Sequence, residues 1–149
     1  MRTMLVGLAV CLLCAAGLRG ADADAVKKDM AALEGEWSMV SGERDGGAVP
    51  DDLLKSAKRV TKAGETTVSF GDQVFMKAKY TVDPSKTPKA IDYEVSEGPN
   101  KGKKVLGIYK VDGDTATFCF AQPDKERPTK FETKEGSGLT LSTWKKSKK

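Results

Sequence analysis

The chain contains no histidine. Ser-His-Asp and Cys-His nucleophile systems are excluded, because each needs an imidazole to take the nucleophile's proton. Imidazole-based zinc sites are excluded as well. Cysteine is almost as scarce: Cys11, Cys14 and Cys119 are the full set. The first two fall in an N-terminal apolar run. The remainder holds Cys119 alone and can form no internal disulfide. Flanked by Phe118 and Phe120, Cys119 reads as a small buried hydrophobe. Long helical periodicity between strands is missing too, which argues against a parallel α/β sheet. What remains for catalysis is carboxylate, lysine, tyrosine or a carboxylate-held metal. The acidic turns at Asp45, Asp51-Asp52 and Asp112-Gly113-Asp114 supply too few oxygens for calcium. Asp92 and Glu94 share a strand face that should meet water, where neither is desolvated enough for acid–base work. No enzyme, cofactor or metal site is expected.

What is present begins with a secretory signal. Arg2 gives a positive start, Met4 to Ala16 are uncharged and mostly apolar, and small residues cluster from Ala15 to Ala23. The apolar run is shorter than the roughly 20 residues a spanning helix needs. Val10 precedes Cys11 and Leu13 precedes Cys14, where a lipidated cysteine would follow a small residue, so a plain leader over residues 1–20 is expected. Its removal takes Arg2 and Arg19 and lowers the net charge from +4 to about +2. Such a balance gives no general argument for nucleic acid. The sequence predicts an exported monomer, periplasmic or extracellular, that is not an integral membrane protein once processed. A basic tail closes the chain at 147–149.

Residues 21–34 form a helical lead-in. Asp24 is the expected cap, Val26, Met30 and Leu33 make one apolar stripe, and Gly35 is the stop. A strand starts at once, with Trp37 and Met39 on one face. Gly42 to Pro50 reads as a loop, and Pro50-Asp51-Asp52 opens a second short helix. Strands then follow at Arg59–Lys62, Thr66–Phe70, Val74–Val82, Ile91–Ser96, Val105–Val111, Thr115–Ala121, Phe131–Lys134 and Leu139–Trp144. Val74, Met76, Ala78, Tyr80 and Val82 alternate cleanly with their neighbours. Val105 to Val111 is apolar on both faces and should be covered on both. Turn signals recur every 8–12 residues or so, the pattern of a barrel or sandwich. The expected fold is all-β: a small antiparallel barrel over 35–146, with a two-sheet sandwich as the alternative.

Leu33-Glu34-Gly35-Glu36-Trp37, Tyr80-Thr81-Val82-Asp83-Pro84, Glu97-Gly98-Pro99-Asn100-Lys101-Gly102-Lys103 and Cys119-Phe120-Ala121 recur in a familiar order. So do Glu43-Arg44-Asp45-Gly46, Pro88-Lys89-Ala90-Ile91-Asp92, Gly107-Ile108-Tyr109, Arg127-Pro128-Thr129 and Gly136-Ser137-Gly138. Over about residues 30–146 the chain resembles a family of short exported domains, abundant in planctomycetes, that carries only a label of unknown function. That resemblance implies no activity. The Gly35-x-Trp37 motif also resembles the opening of lipocalins. This likeness implies a Trp at the barrel base with a basic residue of the last strand, Lys145 or Lys146, packed over it. The usual residue there is Arg, and the lipocalin Thr-Asp-Tyr loop is missing.

Read as a barrel, the alternation sends Trp37, Met39, Phe70, Met76, Tyr80, Tyr93, Tyr109, Phe118 and Phe120 inward. Trp37, Met76, Tyr80, Tyr93, Tyr109, Phe118 and Phe120 are the candidate ligand-binding residues. A barrel of about eight strands either fills with side chains or holds one small ligand. Three tyrosines bring three hydroxyls that need partners. Two functions follow: binding of a small apolar or amphipathic molecule, or an envelope structural or interaction domain with a filled core. On the leader reading, N-terminal sequencing of the exported protein should find a start between Gly17 and Ala25 without lipid. An intact Met1, or acylated Cys11 or Cys14, would refute it.

Overall fold

The strands close on themselves. The computed structural model describes residues 17–147, with side chains from residue 23 onward. The elements in chain order are α1 (Gly17–Leu33), β1 (Gly35–Arg44), β2 (Gly47–Ala48), α2 (Asp51–Ser56), β3 (Ala57–Lys62) and β4 (Glu65–Phe70). They continue with β5 (Gln73–Asp83), β6 (Ala90–Glu97), β7 (Lys104–Asp112), β8 (Thr115–Phe120) and β9 (Thr140–Lys146). β1 pairs with β3, each later strand pairs with the next, and β9 returns to pair with β1. All of these pairings are antiparallel. The result is a closed eight-stranded antiparallel barrel with β2 as an extra strand. The sandwich alternative does not apply.

Closure depends on β1 serving two neighbours. Trp37 lies opposite Arg59 in one ladder and opposite Lys146 in the other. A register shift between Met39 and Ser41 adds a residue to β1 and lets the strand bend across from one partner to the other. Val40, the extra residue, is left exposed.

One end of the barrel is shut by α1. Leu33 is buried and Val26 and Met30 pack against the core, as the apolar stripe predicts. Trp37 is 1% exposed, and its Nε1 donates to the Leu33 carbonyl at 2.9 Å. Of the two lysines singled out, Lys146 is the one over the Trp37 ring, with its ammonium 4.9 Å from the centroid. That ammonium also donates to the Ala32 carbonyl at 3.1 Å. Gly35 makes the sharp step from helix to strand at φ 125°, where a Cβ would touch the Lys146 stem.

Four expectations need correction. Asp24 caps nothing, because α1 already runs from Gly17. The part of the expected leader before residue 17, with Cys11 and Cys14, lies outside the described residues, as do Lys148 and Lys149 of the tail. The segment read as a loop from Gly42 continues β1 to Arg44 and turns into β2, because Glu43 and Ala48 pair. Phe131–Lys134 is not a strand. Once β9 pairs with both β8 and β1, no barrel edge is left for it. The segment lies instead over the outer wall, where the Cys119 thiol donates to the Glu132 carbonyl and Lys110 sits over the Phe131 ring. This strap gives β7 its second cover: Ile108 and Cys119 face outward and are almost fully buried. Finally, Asp92 does not stand free in water. It is half-buried, in an ion pair with Arg127 at 2.7 Å, and Arg127 also donates to the Ile91 and Gly107 carbonyls.

Removing the base plug should therefore be severe. Trp37→Ala is expected to lower unfolding stability by about 3–5 kcal/mol, the range for deleting a buried aromatic. Chemical denaturation measures it. A loss under about 1 kcal/mol, the surface scale, would show that the plug does not carry the closed end.

Candidate functional site

Alternation along each strand decides what enters the barrel. β5 sends Met76, Ala78, Tyr80 and Val82 inward, and β6 sends Ile91, Tyr93 and Val95. β7 contributes Val105 and Tyr109, β8 contributes Ala116, Phe118 and Phe120, and β9 contributes Ser142 and Trp144. All seven candidate residues therefore belong to the core or pack against it, but they occupy different depths. Trp37 and Tyr109 lie toward the α1 end. Tyr80 and Tyr93 are directly opposed in the β5–β6 ladder. Met76 and Phe120 are only partly buried and lie toward the other end, with Phe70 beside them.

That second end would be the mouth of a binding barrel. The β4–β5 turn, the β6–β7 loop, the β8–β9 connection and α2 surround it. Phe120 reaches across the wall because Gly107 is its opposite number: a Cβ on Gly107 would lie 2.4 Å from the Phe120 ring. The ring then rests against Tyr93, centroid to centroid at 4.3 Å. Phe70 meets Phe75 edge-on at 5.4 Å. Val74 and Phe75, at 51% and 47% exposed, extend this apolar surface past the rim, and Leu53 of α2 adds to it. Two surface hollows of about 360 and 340 Å³ lie against the outer wall, the first bounded by Lys79, Asp92, Glu94 and Lys104, the second by Arg44, Lys103 and Gln122.

The three tyrosine hydroxyls have three different fates. Tyr109 donates to Asp29 of α1 at 2.6 Å, so its hydroxyl belongs to the helix seal. Tyr93 accepts from Arg59 Nη1 at 2.5 Å. The Tyr80 hydroxyl is buried with no partner among the described residues. Burial pushes its pKa up to about 12, reinforced by Tyr93 and Glu34, while Arg59 acts in the opposite sense.

Arg59 is the residue that the sequence pattern hid. In Ala57-Lys58-Arg59-Val60-Thr61-Lys62 the apolar Val60 is the natural inward choice. Instead Ala57, Arg59 and Thr61 point in, and Val60 is 45% exposed. The legible signal was that Lys58 and Lys62 share the face of Val60. Arg59 is 5% exposed. Its guanidinium carbon lies 4.4 Å from the Phe118 centroid and 4.6 Å from that of Trp144. Nη1 also donates to Thr66 Oγ1 at 3.4 Å, and Thr66 bonds Thr61 at 3.0 Å.

Asp29 was hidden for a different reason. An acidic residue interrupts the stripe between Val26 and Met30, yet it is 6% exposed and accepts from both Tyr109 and Lys89, the latter at 2.9 Å. Burial alone would raise its carboxyl. Donation from Tyr109 and Lys89 outweighs burial and holds it below the usual carboxylate range. The same bond, added to burial, pushes the Tyr109 phenol well above its ordinary value.

Among the described residues no group of three or more cysteine, aspartate or glutamate side chains could hold a metal ion, and no helix is long and apolar enough to cross a membrane. No family model, curated protein or solved structure matches this chain.

The Asp29 seal sets a pH dependence. Its folded pKa lies below its unfolded one, so its contribution is full above about pH 4 and is lost as pH falls through the folded value. Asp29→Asn should flatten the acid limb of the stability curve. Asp29→Ala should cost about 1–3 kcal/mol, because it strands the Tyr109 hydroxyl. Urea titrations at a series of pH values check both. An acid limb unchanged in Asp29→Asn would mean that other carboxylates dominate.

Proposed function

We propose that this chain is an exported barrel that holds one small amphipathic molecule, its apolar part toward the mouth and its polar part at mid-depth. The observation that carries this reading is the Tyr80 hydroxyl, buried without a partner beside the Tyr93–Arg59 pair. Leaving a hydroxyl unbonded costs about 1–3 kcal/mol, and a filled core has no reason to keep one. A ligand acceptor or hydroxyl would satisfy it. The half-buried Met76, Phe70 and Phe120 supply soft, adjustable apolar surface on the way in. Ligand entry on this reading swings Phe120 off Gly107, since large side chains such as Trp37, Trp144 and Tyr109 already occupy the deeper interior.

One observation favours a second reading, an envelope interaction domain. Val74, Phe75 and Leu53 expose apolar surface around the mouth. On that reading the core is complete as it stands and the rim is the working surface.

Native mass spectrometry of protein purified from its own cells separates the two. A small-molecule mass that leaves on denaturation is the expected result. Bare chain only, with tryptophan fluorescence indifferent to added amphiphiles, would favour the interaction reading.

A further inference from the structure

The buried guanidinium of Arg59 has no counter-charge. Among the described residues no carboxylate lies within ion-pair distance of it. Its neighbours are a phenol, a threonine hydroxyl and two aromatic rings. The guanidinium is a permanent cation in proteins. A charge this deep is expensive to desolvate unless it is paired. The rings offset part of that cost, since a desolvated cation is attracted to an aromatic face. They leave the in-plane donors unanswered.

The arrangement of those donors is specific. Both hydrogen bonds made by Arg59 fall on Nη1. Nε is buried with no partner among the described residues. Neither bond uses the edge formed by Nε and Nη2. That edge presents two parallel N–H donors in a fixed fork, the geometry that a planar carboxylate accepts with both oxygens. Tyr80, whose hydroxyl has no partner among the described residues, is the ladder neighbour of Tyr93, which is bonded to Arg59.

We propose that Arg59 is the head-group receptor of the barrel: its free Nε–Nη2 edge binds the carboxylate of a chain-bearing organic acid of the fatty-acid class. The inference rests on the binding-barrel reading and adds the ligand's charge and the atoms that meet it. Burial explains the choice of arginine over lysine, because the planar cation is more weakly hydrated and stacks on Phe118 and Trp144. The alkyl chain runs outward past Phe120 and Met76. The charge also imposes selectivity: an amphipath with a neutral head leaves the fork unpaired, and one with a cationic head meets like charge.

The test compares dodecanoate with dodecanol, each well below its aggregation concentration, by titration against the fluorescence of Trp37 and Trp144. Dodecanoate should bind at least about tenfold more tightly, the scale of one charge-assisted hydrogen bond. The gap should collapse in Arg59→Gln and shrink in Arg59→Lys, which keeps the charge and loses the fork. Equal affinity for acid and alcohol would overturn the head-group assignment and leave the binding barrel standing. No binding of either would overturn both. A gap that persists in both variants would remove Arg59 from the site. Should neither variant fold, the wild-type Arg59 Nε–H resonance decides: it should shift with dodecanoate and not with dodecanol, and an unmoved resonance overturns the proposal.

Discussion

Everything inside this protein follows from the double pairing of β1. A sheet whose first strand bonded only β3 would have an open edge and two solvated faces. By crossing at the Met39–Ser41 shift, β1 reaches β9 and turns the sheet into a wall with an interior. Trp37 sits where the two ladders meet, opposite Arg59 on one side and Lys146 on the other. One cation lies over the Trp37 ring from the closed end, and the other is carried by the next strand into the middle. The seam that closes the barrel thus also delivers the charge that its interior has to accommodate.

Much of this fold was legible in the sequence, because period-2 alternation is a strong signal wherever one face is apolar and the other charged. Tyr80, Tyr93 and Phe118 are inward for that reason, with Lys79, Glu94 and Lys110 marking the outer face. Leu106 and Ile108 on the second face of β7 announced an outer cover, and the strap supplies it. Illegible parts share one cause: a polar residue in an apolar place. Arg59 and Asp29 look like surface residues in any binary pattern, and only tertiary partners from distant strands or loops make their burial tolerable. Tyr93 lies 34 residues beyond Arg59, and Tyr109 lies 80 beyond Asp29. Phe131–Lys134 failed differently. Its residues suit a strand, but closure had already used every edge.

The two buried charges are treated in opposite ways. Asp29 is matched by a lysine and a phenol, sits near the surface, and ties α1 to the barrel as a finished structural joint. Arg59 is only half matched, on one nitrogen and two ring faces, inside the barrel. Replacing buried ionic groups by well-packed apolar ones is often neutral or stabilising. The contrast is between a charge fully matched at the helix seal and one only partly matched inside the barrel.

The strap over the outer wall has a consequence for the chain's thiol chemistry. Beyond the N-terminal segment Cys119 is the sole cysteine, and an odd thiol is a standing route to intermolecular cross-links. Here the thiol is fully buried beneath residues 122–139, its proton donated to the Glu132 carbonyl, and burial raises its pKa, which keeps the reactive thiolate scarce. Covalent access to the sulfur requires the strap to lift. Cys119 is in effect a latch indicator: the rate at which a thiol reagent reaches it reports how often that flank opens, independently of anything that happens at the mouth.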